Sequence, residues 1–147
     1  MSHVDFYILA DNSPASLQQY ACKLAQQHWS SGKRVLIQTD CVDDSQQLDE
    51  RLWNLQTDSF IPHGIATLES TDQQQPILIA HQAVNDSHFD VVLNLSSRPC
   101  DISETNRALQ IEEILNQDEQ RKQSGRTHYK IYRERGYSLQ HHTLQQP

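Results

Sequence analysis

Six of the chain's twelve Lys and Arg residues lie between Arg121 and Arg135, with Glu134 the one acidic residue among them. That stretch is net +5, whereas the whole chain of 147 residues has a formal charge of -7, so the remainder carries -12. Placed on a helix at about 100° per residue, Lys122, Arg126, Tyr129, Lys130 and Arg133 share one arc of roughly 100°. His128, Ile131 and Tyr132 fall on the opposite side, where a supporting core belongs. Gly136 reads as the C-terminal cap, and Arg133 and Arg135 sit in the last turn, where cations suit the helix dipole. A cationic stripe carrying an aromatic is binding chemistry. It is either a solvated face or a docking surface for an anionic partner, and the acidity of the rest favours docking.

Catalytic chemistry is harder to assemble. Ser31-Gly32-Lys33-Arg34 resembles the tail of a phosphate loop, but a helix precedes it and a strand follows, the reverse of what that loop requires. No glycine lies between Leu9 and Ser16, so the first turn cannot form a dinucleotide fingerprint, and the chain has only four glycines in all. Eight His residues invite a metal reading. His141-His142 are placed in a frayed tail; His3, His28, His63, His81, His88 and His128 lack HxxxH or HExxH spacing and read as surface or core-edge residues. Asp43-Asp44 and Glu112-Glu113 read as helix-cap and surface charge, and no GxSxG elbow occurs. The expectation is no metal, no cofactor and no catalytic site.

The elements that must position the stripe follow from pattern. Val4–Leu9 is a β-branched and aromatic run long enough for one strand. Asp11-Asn12-Ser13-Pro14 starts a helix whose apolar face is Leu17, Tyr20, Ala21, Leu24, Ala25 and His28, and Gly32 stops it. Val35–Ile37 follows at once as a second strand, implying a parallel pair with a right-handed crossover. Asp43, Asp44 and Ser45 are expected to cap a helix with Leu48, Leu52 and Leu55 inward and Trp53 off the stripe. Pro76–Ala80 and Asp90–Leu95 read as buried strands, while Gln110–Leu115 fits a helix or an edge strand equally. Alternating strands and helices give an α/β sandwich around a mostly parallel sheet, one domain over residues 1–140 with 141–147 as a disordered tail.

A mean hydropathy of -0.72 and no apolar run near the roughly 20 residues of a membrane span point to a soluble protein. Three dispersed cysteines suit a reducing cytoplasm, and the segment after Met1 is too short and acidic for a signal peptide. Net acidity argues against nonspecific grip on nucleic acid.

Several blocks carry a resemblance. Asp5–Leu9 (DFYIL), His28–Ile37 (HWSSGKRVLI), Leu48–Trp53 (LDERLW), Asp58–Gly64 (DSFIPHG) and Gly125–Leu139 (GRTHYKIYRERGYSL) are collinear over nearly the whole chain. Together they resemble the chi subunit of bacterial DNA polymerase III, while LQIEEILNQDEQ before the last helix departs from that pattern. The resemblance implies a Rossmann-like three-layer sandwich without a functional nucleotide site, a strand at Gln110–Leu115, and a non-catalytic cytoplasmic subunit. It implies a heterodimer with the psi subunit of the clamp loader and capture of the acidic, Phe-terminated tail of single-stranded-DNA-binding protein, with DNA engaged only indirectly. The family's tail-binding positions fall on Lys122, Arg126, Tyr129, Lys130 and Arg133, with Arg126 foremost and Tyr129 walling an apolar recess. Its psi-binding segment matches Trp53, Phe60, Ile61 and Pro62, although Phe60 and Ile61 fit a core position as well. Two rivals stand beside it: a module binding nucleic acid directly through the basic helix, and a degenerate nucleotide-binding enzyme.

Overall fold

A computed structural model describes residues 3–54, 63–65, 76–81, 89–100 and 110–144. In chain order the elements are β1 (His3–Ile8), α1 (Pro14–Ser30), β2 (Val35–Gln38), α2 (Val42–Trp53), β3 (His63–Ile65), β4 (Ile77–Ala80), β5 (Val91–Asn94), β6 (Gln110–Leu115), α3 (Glu119–Glu134) and β7 (Ser138–Thr143). The strands form one sheet in the order β3-β4-β2-β5-β6-β1-β7, and every pairing is parallel.

Alternation along the strands divides the core in two. Val35, Ile37, Ile77, Ile79, Val91, Leu93 and Ile114 face one way and bury Leu17, Ala21 and Leu24 of α1 with Leu48 and Leu52 of α2. Val4, Phe6, Leu36, Leu78, Val92, Ile111 and Leu115 face the other way and bury Tyr132 of α3. The result is the three-layer α/β sandwich expected, with, among the described residues, two helices on one face and one on the other.

Helix ends follow the chemistry of their residues. Ser13 Oγ accepts the Ser16 N–H at 3.3 Å ahead of Pro14, and Asp118 Oδ2 accepts the Arg121 N–H at 3.1 Å. Gly32 and Gly136, at φ 82° and 81°, take the left-handed turns that close α1 and α3.

Four expectations need correction. β1 and β2 are parallel but do not pair, because β5 and β6 fill the gap left by the crossover. α2 begins at Val42 with Cys41 as N-cap and no side-chain capping bond, so Asp43 and Asp44 lie in its first turn and complement the positive helix end instead. Ser45 is buried and its Oγ lies 2.8 Å from Thr39 Oγ1. β7 continues through Thr143, so His141 and His142 belong to the sheet rather than a frayed tail. Parallel pairing with β1 and ring stacking on Phe6 and Tyr7 hold them there. Glu112 and Glu113, expected on the surface, are each 1% exposed.

Candidate functional site on α3

α3 leaves β6, crosses β1 and returns as β7, so its inner face rests on those three strands. A carboxylate network fixes it there. Glu113 receives the Tyr132 hydroxyl at 2.6 Å and the Asn94 amide at 2.7 Å, and His128 Nδ1 lies 2.9 Å from it. His128 Nε2 lies 3.0 Å from the Ser97 carbonyl. Both His128 nitrogens face acceptors, so only the imidazolium satisfies both, and it neutralises Glu113. Burial alone would lower the His128 pKa, but the hydrogen bond and charge of Glu113, helped by the Ser97 carbonyl and Asp40, hold it above the usual histidine range. Tyr132 also accepts the Cys100 N–H at 2.7 Å, and burial, with Cys100 and Glu113 nearby, pushes its hydroxyl far above the usual phenol range.

One flank of the helix and the sheet beneath it enclose a recess of about 320 Å³ whose walls are mainly apolar: Phe6 and Ile8 of β1, Leu115 of β6, Gly125 and Tyr129 of α3, and His141 of β7. Lys122 and Arg126 complete the lining. Phe6, Tyr129 and His141 pack ring against ring, with centroids 5.6 Å apart for Phe6–Tyr129, 5.5 Å for Phe6–His141 and 5.0 Å for Tyr129–His141. Gly125 permits the close approach of α3: a Cβ there would collide with Leu115 Cδ1 and lie 3.2 Å from Cδ2.

Of the five stripe residues, Lys122, Arg126 and Tyr129 line the recess. Arg133 lies beside it with its guanidinium 5.9 Å from the Tyr129 ring centroid, and Lys130 is exposed on the same helix without lining the recess. Lys122 is paired with Glu119 at 3.2 Å, whereas Arg126 is exposed at the recess. An aromatic-floored hollow with a guanidinium and an ammonium at its edge can hold an apolar side chain and its terminal carboxylate together. The residues missed from sequence are the walls Phe6, Ile8, Leu115, Gly125 and His141. Phe6 and Ile8 share a face of β1 by strand alternation, but nothing local in the sequence says which helix covers that face.

The second set is less complete. Trp53, at the end of α2, is 60% exposed and meets the His63 ring edge-on with centroids 5.4 Å apart. Val42 at the other end of that helix is 47% exposed. Phe60, Ile61 and Pro62 lie outside the described residues. Among the described residues no cluster of His, Cys, Asp and Glu has the arrangement to hold a metal ion, and no helix is long and apolar enough to cross a membrane.

Comparison with known proteins bears on the family of the whole chain. The C-terminal domain of the DEAD-box protein Dbp5 superposes with a TM-score of 0.60 over 97% of this chain and 91% of that one, at 11% identity, which is a likeness of fold alone. The DNA polymerase III subunit chi of Pseudomonas aeruginosa is 32% identical, covering 98% of each chain. That of Haemophilus influenzae is 33% identical over 91% of this chain and 92% of its own, and that of Escherichia coli is 30% identical over 95% and 96%. The family model described as DNA polymerase III chi subunit, HolC, matches residues 1–140. With the fold, the length and the collinear blocks in agreement, the chain belongs to the DNA polymerase III chi subunit family.

Proposed function

We propose that this protein is a non-catalytic cytoplasmic subunit of the replicative polymerase assembly that tethers the clamp loader to coated single-stranded DNA. Its α3 recess takes the acidic C-terminal tail of single-stranded-DNA-binding protein, and a surface around Trp53, Phe60, Ile61 and Pro62 takes psi. The observation that carries the reading is the pairing of an aromatic-walled recess with the cations Lys122 and Arg126 in an otherwise acidic chain. The terminal Phe of the tail would enter between Tyr129 and Leu115, and Arg126 would clamp its carboxylate with two parallel hydrogen bonds. Lys130 and Arg133, outside the recess, would draw in the acidic residues upstream by their field.

The test is a fluorescence anisotropy titration with a labelled peptide copying the host tail, beside the same peptide lacking its final Phe. Binding of the intact peptide alone, weakening with salt and lost in Arg126→Ala at unchanged thermal stability, is the expected result. Unchanged affinity in Arg126→Ala, or equal binding of both peptides, refutes the site. Binding of bare oligonucleotide in preference to either peptide would favour direct nucleic-acid recognition instead.

A further inference from the structure

His141 and His142 are adjacent in sequence and opposite in circumstance. β7 pairs in parallel with β1, placing His141 beside Phe6 and His142 beside Tyr7. Alternation sends His142 to the α1 side, where its Nε2 lies 3.0 Å from Asp5 Oδ1 and its ring stacks on Tyr7. His141 turns to the α3 side and lines the recess, stacked on Phe6 and tilted against Tyr129. Its ring faces are occupied, but among the described residues neither nitrogen has a hydrogen bond or ion pair. An exposed imidazole held by its faces has its donor atoms left for a ligand.

We propose that His141 is a ligand-contacting residue of the recess and that it makes capture of an acidic, aromatic-ended tail tighten as the pH falls. The inference rests on the tail-binding reading above. Histidine is the one side-chain type lining this recess that ordinarily changes charge between about pH 5 and 8. The charged and titratable groups nearest it come from α3: Lys122, Arg126 and Tyr129, with Arg133 behind the Tyr129 ring and Glu119 held on Lys122. β1 contributes Phe6 and Ile8 and β6 contributes Leu115; Glu113 of β6, on the same sheet face and in register with Phe6, is buried and paired with His128, and Leu139 and Thr143 share the His141 face of β7. A bound tail brings carboxylates against the imidazole, so binding takes up a proton on His141. The ligand's own carboxyl groups ionise near pH 3–4 and stay charged throughout this range, as about 3.3–4.3 is their ordinary interval.

The test repeats the anisotropy titration between about pH 6 and pH 8 at fixed ionic strength, with wild type and His141→Gln. Wild type is expected to bind about three- to fivefold tighter at the acid end, the range of one exposed charge pair, and His141→Gln to bind with a flat profile. A flat wild-type profile, or the same slope in His141→Gln, overturns the proposal while leaving the tail site standing. No wild-type binding at any pH overturns the tail reading and this proposal with it. A second measurement needs no variant: the His141 ring resonances are followed by NMR through the same pH range, with and without saturating peptide. The peptide should move the His141 titration midpoint upward and leave His142 in place, and an unmoved His141 signal refutes the contact.

Discussion

Replacing Gly125 by Ala should close the recess without unfolding the protein. In a helix interior the change is favourable by about 1 kcal/mol, because Ala restricts the unfolded chain and exposes less backbone. At this position the gain meets a collision. The new methyl would overlap Leu115 Cδ1, lie 3.2 Å from Cδ2 and 3.4 Å from Cγ, where ordinary carbon contacts need about 3.5–4.0 Å. The methyls of Leu115 end a rotatable side chain, so they yield before the backbone does, and the open side available to them is the recess that Leu115 already lines. Overpacking of this kind costs about 1–3 kcal/mol, leaving a net stability change between roughly zero and a loss of 2 kcal/mol. The assay pairs thermal unfolding with the tail-peptide titration. We expect a Tm between unchanged and about 6 °C below wild type, and affinity at least about tenfold weaker, or 1.4 kcal/mol. Adding Leu115→Ala should restore room in the recess and recover part of the binding. A stabilised Gly125→Ala protein that binds the tail at full strength would show that the α3–β6 approach does not shape the ligand site.

Two further predictions concern the network beneath α3. Tyr132→Phe removes the hydroxyl that donates to Glu113 and accepts the Cys100 N–H, leaving two buried groups each a partner short. Denaturant titration should show a loss of about 2–4 kcal/mol, and a change under about 0.5 kcal/mol would remove the network from the account of stability. The raised pKa of His128 fixes the sign of a pH effect. Its contribution is fully present below the unfolded histidine value of about 6.5 and is lost as pH rises through the higher folded value. The denaturation midpoint of wild type should therefore fall on the alkaline side, and His128→Gln should remove that part of the decline while being less stable at acid pH; parallel profiles would refute the linkage.

Periodicity carried a large share of this fold and failed in instructive places. The stripe Lys122, Arg126, Tyr129, Lys130, Arg133 was legible because α3 is amphipathic, and the inward placement of His128 and Tyr132 came with it. β6 was not, since two adjacent glutamates look like solvent-facing charge in any local pattern. They are buried because they point to opposite faces of one strand and each meets a histidine from a different helix, Glu112 with His28 at 2.6 Å and Glu113 with His128 at 2.9 Å. Those partners lie on α1 and α3, so the pairing that makes burial tolerable is invisible until the strands are ordered. The recess was hidden for the same reason. Phe6, Leu115 and His141 come together because β6, β1 and β7 are neighbours, an order that β1–α1–β2 alone does not reveal.

Strand order also bears on why the ligand surface proposed here lies at an edge in a fold so often used for nucleotides. In open parallel sheets the usual site is the crevice beyond the carboxyl ends of the strands, where helix N-termini offer free N–H groups to a phosphate. Here a hollow does exist at that place, bordered by Pro14, Asp40, Ser96, Asn116 and Asp118. Its helix ends are already served by the chain itself, α1 by Ser13 and α3 by Asp118, and Asp40 adds a second carboxylate. Arg121, the cation nearest the α3 end, donates to the Leu95 carbonyl at 2.8 Å. A phosphate entering there would meet two negative charges. The cations of the stripe lie away from the crevice, further along the helix, where Lys122 and Arg126 border apolar walls supplied by β1, β6 and β7. Charge and apolar surface coincide at the α3–β7 edge and conflict at the crevice, so the former is the place where this sandwich can hold an anionic peptide end.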